Sequence, residues 1–133
     1  MSGRYLVDTD WAINHLNGEE RTRRRLQELV ADGLYLSIIS LAEVYEGIYY
    51  SNDPERNEQA LTEFLQDVSV VPIDEGTSRL FGKERGRLRT AGQMISDFDL
   101  MIGVTALQHN LTLLTNNRRH FENIEGLGIE SLS

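Results

Sequence analysis

The chain has no cysteine, two prolines, a single tryptophan and a single lysine, and no apolar run long enough to cross a bilayer. Each shortage closes off a class of protein. Without thiols there can be no disulfide scaffold, Cys-based zinc site, iron–sulfur cluster or cysteine nucleophile, and such a composition suits a reducing cytosol. Two prolines and eleven glycines among 133 residues exclude collagen-like and low-complexity chains. The N-terminal residues carry no apolar h-region, and no window approaches the ~18 uncharged apolar residues of a membrane span, so a soluble cytoplasmic protein is expected. Neither a Gly-x-x-x-x-Gly-Lys-[Ser/Thr] phosphate loop nor a Gly-x-Ser-x-Gly elbow occurs.

What is present fits one globular domain over residues 1–133, with 40% hydrophobic and 26% charged residues. Thirteen basic residues stand against twenty-one acidic ones, a net charge of −8. That sum is a poor match for nucleic acid, yet twelve of the thirteen bases are arginine and they cluster: Arg21, Arg23, Arg24 and Arg25; Arg85, Arg87 and Arg89; Arg118 and Arg119. The local field, rather than the net sum, decides whether a patch holds phosphate. Solvated helix faces are the plainer explanation of the same runs.

Short apolar runs at 5–7, 34–39, 68–71 and 111–114, with a weaker one at 128–130, predict buried strands. Helical spacing predicts helices at 21–31, 41–50 behind a Ser40 cap, 55–65 after Asp53-Pro54, 77–88 and 97–109. Alternating strands and helices argue for an α/β fold, a mostly parallel sheet of about five strands covered on both faces. In that topology Asp8 follows the first strand, Glu43 starts the helix after the second, Asp99 starts the helix before the fourth, and Asn117 follows the fourth. All four fall at the carboxyl edge of the sheet, where open α/β sheets bind ligands.

Carboxylates gathered there would raise one another's pKa unless a cation neutralised them. Oxygen-only donors point to a hard ion, Mg²⁺ with Mn²⁺ as substitute, and such ions act on phosphate esters. Each residue also has a local explanation. Ser40 with Glu43, and Ser96 with Asp99, match capping boxes; Asp8-Thr9 reads equally as a turn or cap, and Asn117 as a loop residue. Against capping, Asp99 shares a helix face with Ile102, Gly103 and Ala106, an inward-packing side on which a carboxylate needs a partner. Asp97 lies about 200° around the same helix, as a cap or a supporting group. Tyr45, Ile48, Tyr49 and Tyr50 form an aromatic patch, either an interface or a closure of the core.

The blocks Tyr5–Asp10, Ser37–Gly47, Asp97–Leu107 and Leu113–Phe121 resemble, in order, the PIN domain, and more narrowly the VapC-type toxin ribonucleases of toxin–antitoxin pairs. The resemblance implies a three-layer α/β/α sandwich and Mg²⁺- or Mn²⁺-dependent endoribonuclease activity. It implies that Asp8, Glu43 and Asp99 are catalytic metal ligands, with Thr9 supporting the first by hydrogen bonding and Asp97, Thr115 and Asn117 in supporting places. Asn117 stands where the family often has Asp, which leaves one-metal and two-metal chemistry both open. Asp10 and Trp11 depart from the usual Asn and small aliphatic, and Gly103-Val104 replaces a more frequent double alanine, a packing-level change. A cognate VapB-like antitoxin and a homodimer are also implied. Arg85, Arg87, Arg118 and Arg119 are the expected RNA contacts, with Arg89 and Lys83 as further candidates, and His15, His109 and His120 are expected to be structural. The competing readings are a phosphotransfer enzyme acting on small esters and a non-catalytic module whose carboxylates only cap helices.

Overall fold

The computed structural model describes residues 3–132; Met1, Ser2 and Ser133 of the expected 1–133 domain lie outside the described residues. The elements follow as β1 (Tyr5–Val7), α1 (Thr9–Leu16), α2 (Glu20–Leu29), a 3-10 turn (Val30–Asp32), β2 (Leu34–Ser37), α3 (Ile38–Tyr49), α4 (Pro54–Phe64), β3 (Ser69–Val71), α5 (Glu75–Thr90), α6 (Asp97–Gln108), β4 (Thr112–Leu114), α7 (Arg118–Phe121) and β5 (Ile129–Glu130). The five strands form one sheet in the order β3-β2-β1-β4-β5. Every pairing is parallel, and in register Tyr5 faces both Leu34 and Thr112.

Alternation along the strands sends side chains to two cores. Val7, Leu34, Leu36 and Leu114 pack with Trp11, Leu26, Leu29, Val44, Ile48, Leu61 and Phe64 from α1 to α4. Leu6 and Leu113 point the other way, against Leu88, Leu100, Ile102, Val104, Ala106 and Phe121 from α5, α6 and α7. The expected three-layer α/β/α sandwich is therefore present, with both sheet faces buried as a parallel sheet requires. The chain winds from β1 outward through β2 to β3, then crosses back to β4 and β5 on the other side of β1. The strand order thus reverses between β1 and β4, and the crevice outside their carboxyl ends is the topological switch point.

Several boundaries differ from the sequence reading for identifiable reasons. The second strand stops at Ser37 rather than Ile39, because the Ser37 hydroxyl accepts the Ile39 N–H (3.0 Å) and starts α3 three residues before Ser40. Ser40 is buried inside the helix with no partner for its hydroxyl, so it caps nothing. The sequence reading places no helix at α1, although it reads Asp8-Thr9 as a turn or a cap; Asp8 is the N-cap, and its side chain makes no capping bond. The inward α1 residues Trp11 and Ala12 nonetheless bury completely. The Gly103 substitution is indeed a packing matter, since an added Cβ would stand 2.4 Å from Ile124 Cδ1. Of the aromatic patch, Ile48 is core, Tyr45 is half-buried and stacks on Tyr49 at 5.8 Å between ring centroids, and Tyr50 is 89% exposed. Among the described residues no helix is long and apolar enough to cross a membrane.

Leu6 is fully buried at the centre of the sheet and Tyr50 is almost wholly exposed. Leu6→Ala is expected to cost about 2–5 kcal/mol of unfolding free energy and Tyr50→Ser less than about 0.5 kcal/mol, read as shifts in the urea midpoint.

Candidate active site

Asp8 is the first residue beyond the central strand, and its backbone N–H continues the ladder by donating to Leu114 C=O (2.9 Å). This places its carboxylate at the switch point, only 4% exposed. The Thr115 hydroxyl, at the end of β4, donates to Asp8 Oδ2 (2.7 Å). The Thr115 oxygen in turn accepts the Asn117 N–H (3.0 Å). On the other side the Thr9 hydroxyl donates to Glu43 Oε1 (2.6 Å), joining the start of α1 to the second turn of α3. Thr9 thus supports Glu43 through its hydroxyl, and the hydroxyl partner of Asp8 is Thr115.

Asp99 lies in the first turn of α6, on the face that buries Ile102, Gly103 and Ala106. Its backbone N–H donates to the Ser96 hydroxyl oxygen (3.2 Å), so Ser96 is a true cap. Its carboxylate is not engaged in a reciprocal box: Oδ2 stands 3.1 Å from Nδ1 of His120, with the Asp99 side chain 23% and the His120 side chain 57% exposed. Asp97 is turned away and pairs with Arg85 (3.0 Å), tying α6 to α5.

A ring of contacts that spacing alone did not signal surrounds Asp8. Asp10 accepts from the Trp11 N–H (2.8 Å) and the Asn116 N–H (2.9 Å). The Trp11 indole N–H donates to Asn116 Oδ1 (3.0 Å), which also accepts from the Leu132 N–H (2.8 Å). The departures at Asp10 and Trp11 are therefore matched by Asn116, which locks the loop after β4 against α1. Asn117 is exposed, and its side chain makes no capping bond to α7. The arginines divide clearly. Arg87 is held by a fork to Glu84 (2.8 and 2.6 Å) and by Asn123 C=O, and Arg118 donates to Ile129 C=O (3.2 Å). Arg119 makes no hydrogen bond or ion pair among the described residues and lines a cavity of about 310 Å³ beside Asp99 and His120. In the basic run near the N-terminus, Arg24 pairs with Glu20, and Arg25 with Glu28 and, through two bonds, Glu130 on β5. A larger cavity of about 420 Å³, among His15, Leu26, Leu34, Phe64 and Val68, is reached from the amino end of β2 and β3, away from these carboxylates.

The electrostatics single out Asp8. Burial, then the neighbouring charge of Asp10, and more weakly that of Asp99, push its carboxyl up from 3.8 to about 7, outweighing the bonds from Thr115 and the Thr9 backbone. No basic side chain among the described residues pairs with it. Among the described residues no three acidic or histidine side chains already converge as a metal cage; Asp99 leans to His120 and Glu43 to Thr9. The donor set is nevertheless all oxygen and lacks a counter-charge at its most buried member, which fits a hard divalent cation.

Comparison with known proteins identifies the family and the fold. The PIN domain model matches residues 5–127. Ribonuclease VapC1 of Methanocaldococcus jannaschii is 35% identical over 125 residues, covering 94% of this chain and 84% of that protein. The tRNA(fMet)-specific endonuclease VapC of Shigella flexneri is 28% identical over 130 residues, covering 98% of each. Among solved structures, VapBC2 from Rickettsia felis bound to a DNA fragment from its promoter superposes with a TM-score of 0.91 at 27% identity, covering 98% of this chain and 99% of that one. DNA-bound VapBC from Salmonella typhimurium gives 0.88 at 30% identity and 98% of each chain.

Because the Asp8 charge has no cation beside it, Asp8→Asn at pH 8 in chelator is expected to be more stable than the wild type by about 1–3 kcal/mol. Calorimetry with and without Mg²⁺ or Mn²⁺ checks this: the added ion should raise the wild-type Tm and leave that of the variant nearly unmoved.

Proposed function

The chain belongs to the PIN domain family, and from that premise we propose that it is a divalent-metal-dependent endoribonuclease, the toxin of a toxin–antitoxin pair. The observation that carries this reading is the buried, uncompensated Asp8 carboxylate at the switch point, with Asp99 and Glu43 supplied from two other segments. These three residues would hold Mg²⁺, with Mn²⁺ as substitute. When bound, the ion polarises a phosphoryl oxygen and lowers the pKa of an attacking water.

The chain's own residues prepare that site. Thr115 fixes the outward orientation of Asp8, and Thr9 fixes Glu43. Asn117 works through its backbone, whose N–H holds the Thr115 hydroxyl oxygen, while its amide side chain adds no charge for a second ion. Asp97 keeps Arg85 at the rim through their ion pair, and His120 keeps Asp99 in place until the carboxylate is needed. Of the four arginines proposed to meet RNA, Arg119 is the principal phosphate contact; Arg85, Arg87 and Arg118 add to the local field while their guanidinium groups stay on protein partners.

The partners follow from the same reading. The substrate is RNA, cut internally. A cognate antitoxin protein holds the toxin inactive, and two copies of the chain pair through the exposed Tyr49 and Tyr50 at the end of α3. Work in the cytoplasm, on RNA, accords with the absence of cysteine.

The test is incubation of a structured-RNA pool with the purified protein in Mg²⁺, Mn²⁺ or chelator, beside Asp99→Asn checked for an unchanged Tm. Metal-dependent internal cuts are expected, falling by more than about 100-fold in the variant. RNA left intact in every metal, with Asp99→Asn melting early, would make the carboxylate structural and refute the proposal.

A further inference from the structure

The cavity beside Asp99 has two chemically different walls. Met94 and Ile95, from the segment before α6, supply apolar surface, and Met94 is 44% exposed. Arg119 and His120, from α7, supply a guanidinium and an imidazole. The His120 ring stands with Nδ1 3.1 Å from Asp99 Oδ2 and leaves more than half of its side chain open to solvent. Ser96, exposed on the same lining, accepts the Asp99 N–H through its hydroxyl oxygen and retains its own hydrogen for donation.

Three features set what such a space can take. Its volume, about 310 Å³, lies at the lower end of the ~300–1,000 Å³ usual for small-molecule sites, which suits one nucleotide and not the groove of a duplex. Arg119 is the one cation of its lining without a protein partner, in a neighbourhood otherwise dominated by Asp97, Asp99, Asp8 and Asp10, so a phosphate arriving here meets a guanidinium with all its donors available. Met94 and His120 both line the space, and a polarizable thioether and a flat imidazole ring each suit a nucleobase face.

The geometry points to a single-nucleotide subsite: the unpaired ribonucleotide next to the scissile phosphate is splayed out of its strand, its base lying between Met94–Ile95 and the His120 ring, its phosphate on Arg119. This rests on the ribonuclease reading and adds a rule to it. The base must be unstacked to enter this space, and the identity of that one flanking base is read by the Met94 wall and the Ser96 hydroxyl. Glu43 and Thr9, engaged with each other on α3 and α1, take no part in that reading.

Cleavage of a randomised single-stranded RNA pool, with cut ends sequenced, tests the subsite in wild type, Met94→Ala, Arg119→Ala and Arg119→Lys, each checked for an unchanged Tm. The wild type is expected to show a base preference at one position flanking the cut, which Met94→Ala flattens while preferences elsewhere stay. Arg119→Ala is expected to raise KM about tenfold and to lower the salt dependence of KM by about one charge, and Arg119→Lys to restore most of that salt dependence. A wild type that cuts RNA with the same preference and KM as Met94→Ala and Arg119→Ala overturns the subsite and leaves the ribonuclease reading standing. A wild type that cuts no RNA overturns the ribonuclease reading and the subsite with it.

Discussion

A carboxylate buried at the end of the central strand is the constraint from which the rest of this molecule follows. Asp8 cannot retreat to solvent, because β1 is flanked by β2 and β4 and both faces of the sheet are covered. No base among the described residues pairs with it, and burial together with the charges of Asp10 and Asp99 lifts it from 3.8 to about 7. A group in that position costs stability unless an external cation completes it. The topology makes the expense useful: the strand order reverses between β1 and β4, opening a crevice at the one place where carboxylates from separate segments can face the same visitor.

The immediate surroundings keep this arrangement from relaxing. Two threonines from opposite sides each hold one acid, Thr115 holding Asp8 and Thr9 holding Glu43. Behind them Asn116 joins the Trp11 indole, the Asp10 carboxylate and the Leu132 backbone, so that the loop after β4 cannot shift without disturbing α1 and the chain beyond β5. Arg25 fastens the same edge by its double contact with Glu130. Order at the site is thus supplied by hydroxyl and backbone N–H donors to the carboxylates and by ion pairs at its rim, Arg25 with Glu130 and Arg85 with Asp97, leaving Asp8 and Glu43 without a protein cation among the described residues. Such a division suits a site that must attract a divalent ion and then a polyanion.

Much of this was legible in the chain itself. Short continuous apolar runs, separated by helical stretches, are enough to specify a parallel sheet between two helical layers, and the end of each run then fixes which acids share an edge. Glu43 and Asp99 were ambiguous because a serine three residues before an acid also signals a helix cap. Structure separates the cases: Ser40 lies within α3 and caps nothing, whereas Ser96 caps α6 although the Asp99 side chain is directed to His120. Pairings across long sequence distances were not legible. Trp11 and Asn116 are 105 positions apart, and His120 looked like a structural residue because its relation to Asp99 exists only once α7 has folded against α6. The cap reading of Asp8 was half right: Asp8 stands at the start of α1, but its carboxylate accepts from Thr115 and not from the helix.

On the proposed reading, the buried Asp8 and the partly exposed Asp99 and Glu43 form one cation site at the switch point. The most direct measurement is anomalous diffraction from crystals of the wild-type protein soaked in Mn²⁺. One strong peak is expected between Asp8, Asp99 and Glu43, with the Asp99 carboxylate drawn off His120. A fully soaked crystal with no peak in that crevice, and Asp99 still on His120, would contradict the claim.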